Sequence, residues 1–103
     1  MQMLSKRQRA IARALNLYAP HMPFADAEPV KRAAEAPHMK ALPPQIATWL
    51  ALVAHVRHTC TEYDALLDEG YDRDSARHFV IDAINAQLER WGSTRFVDEE
   101  DEA

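Results

Sequence analysis

The stretch AHVRHTCTEYDALLDEGYDRDSARH, residues 54–78, holds three histidines and three arginines, and sets two of the arginines, Arg57 and Arg77, on segments whose other residues read as helix core. Arg57 ends the row Ile46, Leu50, Val53, Arg57, and Arg77 begins the row Arg77, Val80, Ile84, Leu88, Trp91, both at helical spacing. A guanidinium buried without a counter-charge is expensive, so each arginine calls for a carboxylate. Asp64 is the first choice for either, in a connecting region that also holds Tyr63, Tyr71 and Asp72. Two kinds of chemistry are open to such a corner. It can lock three segments together as an internal ion-pair cluster, or it can hold a guanidinium face toward the phosphate or carboxylate of a partner. Arg57, Tyr63, Asp64, Tyr71 and Arg77 are therefore the candidate binding residues. Arg77 also stands near the positive end of a helix dipole, a position easier to understand if it has a specific partner.

The histidines suggest weaker chemistry. His55 and His58, three residues apart on one helix, could share a metal ion, but only with further ligands such as Asp64, Asp74 or His78, and no closed ligand set follows from the spacing. They stand as weak metal candidates, and no cofactor is expected. Cys60 is the single cysteine and belongs to no CxxC pair, which makes it a small buried filler rather than a nucleophile.

The elements that must position these groups are helices. Two glycines, frequent alanine and few β-branched runs favour an all-α bundle of about four to five helices over sheet. Residues 4–18 carry Leu4, Ile11, Leu15 and Tyr18 on one side, with Ser5 as a start signal and Pro20 and Pro23 as stops. A shorter helix is expected from Asp26, with Pro29 tolerated in its first turn, ending before Pro37. Pro43 and Pro44 precede the central helix, whose apolar face should be Ile46, Trp49, Leu50, Val53 and Val56, with Leu52 at its edge and Ala47, Ala51 and Ala54 opposite. After a break at 59–61, Thr61 and Asp64 resemble a capping box for a short helix ended by Gly70. Asp72 caps the last helix, with Ala76, Phe79, Val80, Ile81, Ala83, Ile84, Leu88 and Trp91 as its apolar residues and Gly92 as its stop. Residues 1–96 form one helical domain on this reading, and the tail 97–103 is expected to be disordered.

Charge is unevenly placed. Without the five acids of residues 98–102 the formal charge of −4 becomes +1. Lys6, Arg7, Arg9 and Arg13 make the first helix basic, whereas residues 61–80 hold six acids against Arg73 and Arg77. Lys6, Arg9 and Arg13 on one face, with Arg73, are the candidate nucleic-acid contacts, although no nucleic-acid-binding signature accompanies them. The longest apolar run, 46–56, is short of the ~20 residues a membrane helix needs. No signal-peptide pattern opens the chain, so a cytoplasmic location without membrane contact is expected.

Val56, Arg57 and His58, then Thr61, Tyr63, Asp64, Leu66 and Leu67, then Gly70, Tyr71, Arg73, Ala76 and Arg77 follow a pattern V-R-H, T-x-Y-D-x-L-L, G-Y-x-R-x-x-A-R. With the helix ending at Trp91, this resembles the family of uncharacterised proteins known as DUF2293. The resemblance implies that the arginine corner belongs to that family's signature, and it brings no catalytic or binding residues with it. The leading functional reading is a small helical binding or regulatory module without catalysis, its partner another protein. A nucleic-acid-associated protein is the alternative, and a metal-dependent hydrolase built on His55, His58 and Asp64 is the second. Broad apolar helix faces could also be completed by a second copy of the chain.

Overall fold

The computed structural model describes residues 3–98. Among them are five α-helices, α1 (Lys6–Tyr18), α2 (Phe24–Ala34), α3 (Pro44–Cys60), α4 (Tyr63–Asp68) and α5 (Arg73–Arg90), and a short 3-10 turn at Pro37–Met39. No strand occurs among the described residues, so the fold is all-α as its composition implies. None of these helices is long and apolar enough to cross a membrane.

Local chemistry fixes most boundaries. Ser5 starts α1 with a full capping box: its hydroxyl accepts from the Gln8 amide at 3.0 Å, and the Gln8 side chain accepts from the Ser5 amide at 2.8 Å. Asp72 caps α5 by accepting from the Ser75 amide at 2.8 Å. At the other ends, α4 and α5 close in the same way. Gly70 (φ 104°) and Gly92 (φ 85°) take the left-handed conformation, and the pairs of amides that follow, Gly70 and Tyr71 or Gly92 and Ser93, bond back to Leu67 and Leu66 or to Glu89 and Leu88.

Two starts differ from expectation. α2 begins two residues before Asp26, because Pro23 in extended geometry already serves as its N-cap. Pro29 consequently lies inside the helix, where it cannot bond the carbonyl of Ala25, an exposed residue. The Thr61–Asp64 capping box does not form either. Thr61 is the C-cap of α3, its hydroxyl donating to the Arg57 carbonyl and accepting from the Tyr63 amide, while Glu62 takes the N-cap position of α4.

α3 is the central helix. It packs against α1, α2, α4 and α5, while α5 also packs on α4. A helix covered from several sides has no single apolar stripe, and this overturns the expected face. Leu52, placed at the edge, is fully buried, and Ala47 and Ala51 are buried beside it, whereas Ile46 and Leu50 are 48% and 43% exposed. On α5 the buried row is Ala76, Val80, Ile84 and Leu88, continued by Trp91; Phe79 and Ala83 face outward and Ile81 is half-buried.

Beyond Gly92 the chain stays packed through Val97, one residue past the boundary drawn at 96. Val97 is buried, and its amide and carbonyl both bond the Asn85 side chain. Of the tail expected to be disordered, residues 99–103 lie outside the described residues.

Candidate functional site

The candidate binding residues gather where α3 ends, α4 turns and α5 begins. Tyr63, the first residue of α4, is buried. The Arg57 guanidinium carbon lies 5.6 Å from its ring centroid, and the His58 ring meets it nearly edge-on, with centroids 5.2 Å apart and planes at 81°. Arg57 is only 9% exposed, so the last turn of α3 carries its charge into the protein and rests it on an aromatic ring. The apolar stem of the arginine makes that placement tolerable.

Asp64 has a different mate from the arginines proposed for it. Its carboxylate bonds His58 Nδ1 at 2.7 Å, an exposed pair six residues apart across the break between α3 and α4. Arg77 is half-buried in the first turns of α5. Tyr71, in the link before α5, is 45% exposed and stacks edge-to-face on Phe79, which is 58% exposed, with centroids 5.5 Å apart at 85°. His78 flanks that pair, its ring 6.1 Å from Phe79.

His55 and His58 do not work together. His55 points to α2, where its Nε2 is 2.9 Å from Asp26, so each imidazole has its own carboxylate. Among the described residues no three His, Cys, Asp or Glu side chains stand where they could hold one metal ion. Cys60 is half-buried rather than buried, its sulfur 3.4 Å from the Thr59 hydroxyl.

Lys6, Arg9 and Arg13 are exposed on α1, with Arg9 donating to the Leu4 carbonyl. Arg73 opens α5, which packs on α3 and α4, whereas α1 packs on α2 and α3, so these four basic residues do not form one array. Arg7, on the border of that basic face, is directed inward and donates to the carbonyls of Met39 and Leu42.

Several contacts are missing from the sequence reading. Phe79 is offset from the row 77, 80, 84, 88, and that helical phase was the available sign that it faces solvent. Nothing in the pattern announced Arg95, whose guanidinium lies 4.2 Å from the Trp49 ring centroid, or the hold of Asn85 on Val97.

Fold and site together define a small all-helical domain with a corner built from ionic and aromatic side chains. The chain belongs to the family described as uncharacterized conserved protein (DUF2293), whose sequence profile matches residues 14–92. The match contains the whole corner and begins after Lys6, Arg9 and Arg13. Comparison with curated proteins and with solved structures gave no match.

Proposed function

We propose that this chain is a binding module without catalysis and that it takes another protein on the corner formed by α4 and the start of α5. The observation that carries this reading is the exposed Tyr71–Phe79 pair. Two aromatic rings stacked on each other at the surface add nothing to the core, and aromatic side chains beside arginine are the residues that most often anchor protein contacts. Tyr63, Arg57, Asp64 and His58 make a fixed junction at the start of α4, since their hydrogen bond and ring contacts join α3 to α4. His55 and His58 are oriented to different carboxylates, which gives the metal-dependent reading no support.

A photoreactive phenylalanine analogue at position 79 tests the proposal in cells. Crosslinks to a discrete partner are expected there and not from the same analogue at Leu17, an exposed apolar residue of α1. No adduct at 79, or the same adducts from both positions, rejects the corner as a contact surface. An adduct of twice the chain's mass makes the partner a second copy. The alternative use of Lys6, Arg9 and Arg13 on nucleic acid predicts binding that weakens steeply with salt and with neutralisation of those three residues; salt-indifferent binding rejects it.

A further inference from the structure

The strap that follows α5 is held differently from the helices. The Ser93 hydroxyl donates to the Arg95 carbonyl and accepts from the Arg95 amide. The Asn85 side chain of α5 donates to the Val97 carbonyl at 2.9 Å and accepts from the Val97 amide at 2.8 Å. Side chains thus take backbone bonds that a helix or sheet would otherwise supply. Arg95 lies on Trp49 and Val97 is buried, while Phe96 between them is 43% exposed. That alternation belongs to an extended segment with one face against the protein.

The receiving face has three parts. Trp49, in the first half of α3, and Tyr18, the last residue of α1, stand with ring centroids 5.2 Å apart, and the Arg95 guanidinium carbon lies 4.2 Å from the first centroid and 5.8 Å from the second. Paired aromatic faces of this kind select a cation. Asn85 grips one residue by both backbone groups, which a carboxamide can do for any sequence because it carries a donor and an acceptor. The third part is the core position filled by Val97, which takes a small aliphatic side chain. Main-chain bonds for affinity, with separate places for alternate side chains, are how folded domains bind extended peptides. The family profile, residues 14–92, takes in Tyr18, Trp49 and Asn85 and stops before the strap, so the receiving residues belong to the matched stretch and the segment lying on them does not.

We infer that this face of α1, α3 and α5 is a peptide-docking site, plugged here in cis, whose ligand is an extended segment of a partner protein carrying arginine two residues before valine or isoleucine. The chain's own Arg95 and Val97 show the chemistry that the site accepts. It is separate from the Tyr71–Phe79 corner, because that corner lies where α3 ends and α5 begins, whereas Trp49 is in the first half of α3 and Asn85 in the second half of α5. Tethering makes the strap a strong competitor, so a partner segment engages only where it displaces the strap.

The full chain carrying Arg95→Ala and Val97→Gly loosens the strap and leaves the receiving residues intact. When it is titrated with a blocked peptide STRFVD, the sequence of residues 93–98, the Trp49 indole and Asn85 side-chain amide resonances should move saturably toward their positions in the native chain. A peptide with alanine for its arginine should bind about two- to fivefold more weakly, and one with aspartate for its valine should not bind. The native chain, already plugged, should bind the original peptide at least about tenfold more weakly than the variant. No saturable shift in the folded variant, or an equal response to the aspartate peptide, overturns the inference. Amide exchange in the native chain tests it even if the variant unfolds. The Val97 amide should exchange about 100-fold faster than that of Leu88, buried in α5, and should be insensitive to low urea, the mark of a strap that opens while the helices stay folded. Equal rates would mean that the strap leaves only on unfolding and that no site is available. A native dimer abolished by Asn85→Ala would make the occupant a second copy's strap and reject the partner segment.

Discussion

The two ends of this molecule use the same residue types for opposite purposes. Where α1 and α2 meet α3, arginine, histidine, aspartate and tyrosine stitch the chain to itself. Arg7 holds the carbonyls of Met39 and Leu42, Asp26 holds His55 across α2 and α3, and the Tyr18 hydroxyl donates to the Gln45 carbonyl. Where α3 ends and α5 begins, Asp64 and His58 pair in the open, and Tyr71 and Phe79 stack at the surface. A polar side chain that bridges distant segments in a half-buried place stabilises the fold; one that pairs nearby in water adds little. The contrast separates a scaffold end from a display end.

Glycine offers the sharpest way to break that contrast, since each end closes a helix with one. A β-carbon added at Gly92 would stand 2.9 Å from Pro20 Cγ and 3.0 Å from His21 Nδ1, whereas one added at Gly70 would meet nothing within 4 Å. Gly92→Ala should cost about 2–5 kcal/mol, combining left-handed strain of about 1–2 with overpacking of about 1–3. Gly70→Ala should show the strain alone, about 1–2 kcal/mol. Urea unfolding of both variants measures the difference. Equal losses would mean that the two ends are equally tight.

The two His–Asp pairs give the next largest difference. At the scaffold end the His55 and Asp26 side chains are 13% and 29% exposed; at the display end those of His58 and Asp64 are 51% and 60% exposed. Asp26→Ala should lose about 1–3 kcal/mol, because it leaves a mostly buried ring nitrogen without its acceptor. Asp64→Ala should stay within about 0.5 kcal/mol, as exposed pairs do. A larger loss at Asp64 would make the His58 pair structural and reverse the assignment of the ends.

What could be read from the sequence divides along the same physical line. Signals that act over a few residues were legible: the Ser5 and Asp72 caps, the proline before α3, left-handed Gly70 and the stop at Gly92. Which side of α3 is buried was not, because periodicity assumes one covered face and this helix has neighbours around much of its girth. Within the site, the places of Arg57 and Tyr63 either side of a break could be read, but the contact between them and the stacking of Tyr71 on Phe79 could not. Asp64's choice of His58 depended on the geometry of that break, and the Asp26–His55 bond, spanning 29 residues, on how α2 lies against α3.

The smallest effect distinguishes the ends by acid. Both have a capped helix start, but the Ser5 hydroxyl does not titrate and the Asp72 carboxylate does. The Ser75 backbone amide, then the Ser75 side chain, hold the Asp72 carboxyl below the ordinary aspartate value of 3.8. A lowered folded value means that the charged cap stabilises α5 fully above the unfolded value and loses that contribution as pH falls through the folded one. Asp72→Asn keeps an oxygen that can accept the same amide but cannot be protonated in this range. Native chain and variant should therefore have similar urea midpoints near neutrality, and the native midpoint should fall relative to the variant's between about pH 5 and pH 2. Parallel midpoints throughout would mean that the cap acts through shape alone. A native midpoint that rises relative to the variant's on acidification would reverse the sign and remove any reason for the display end to loosen first.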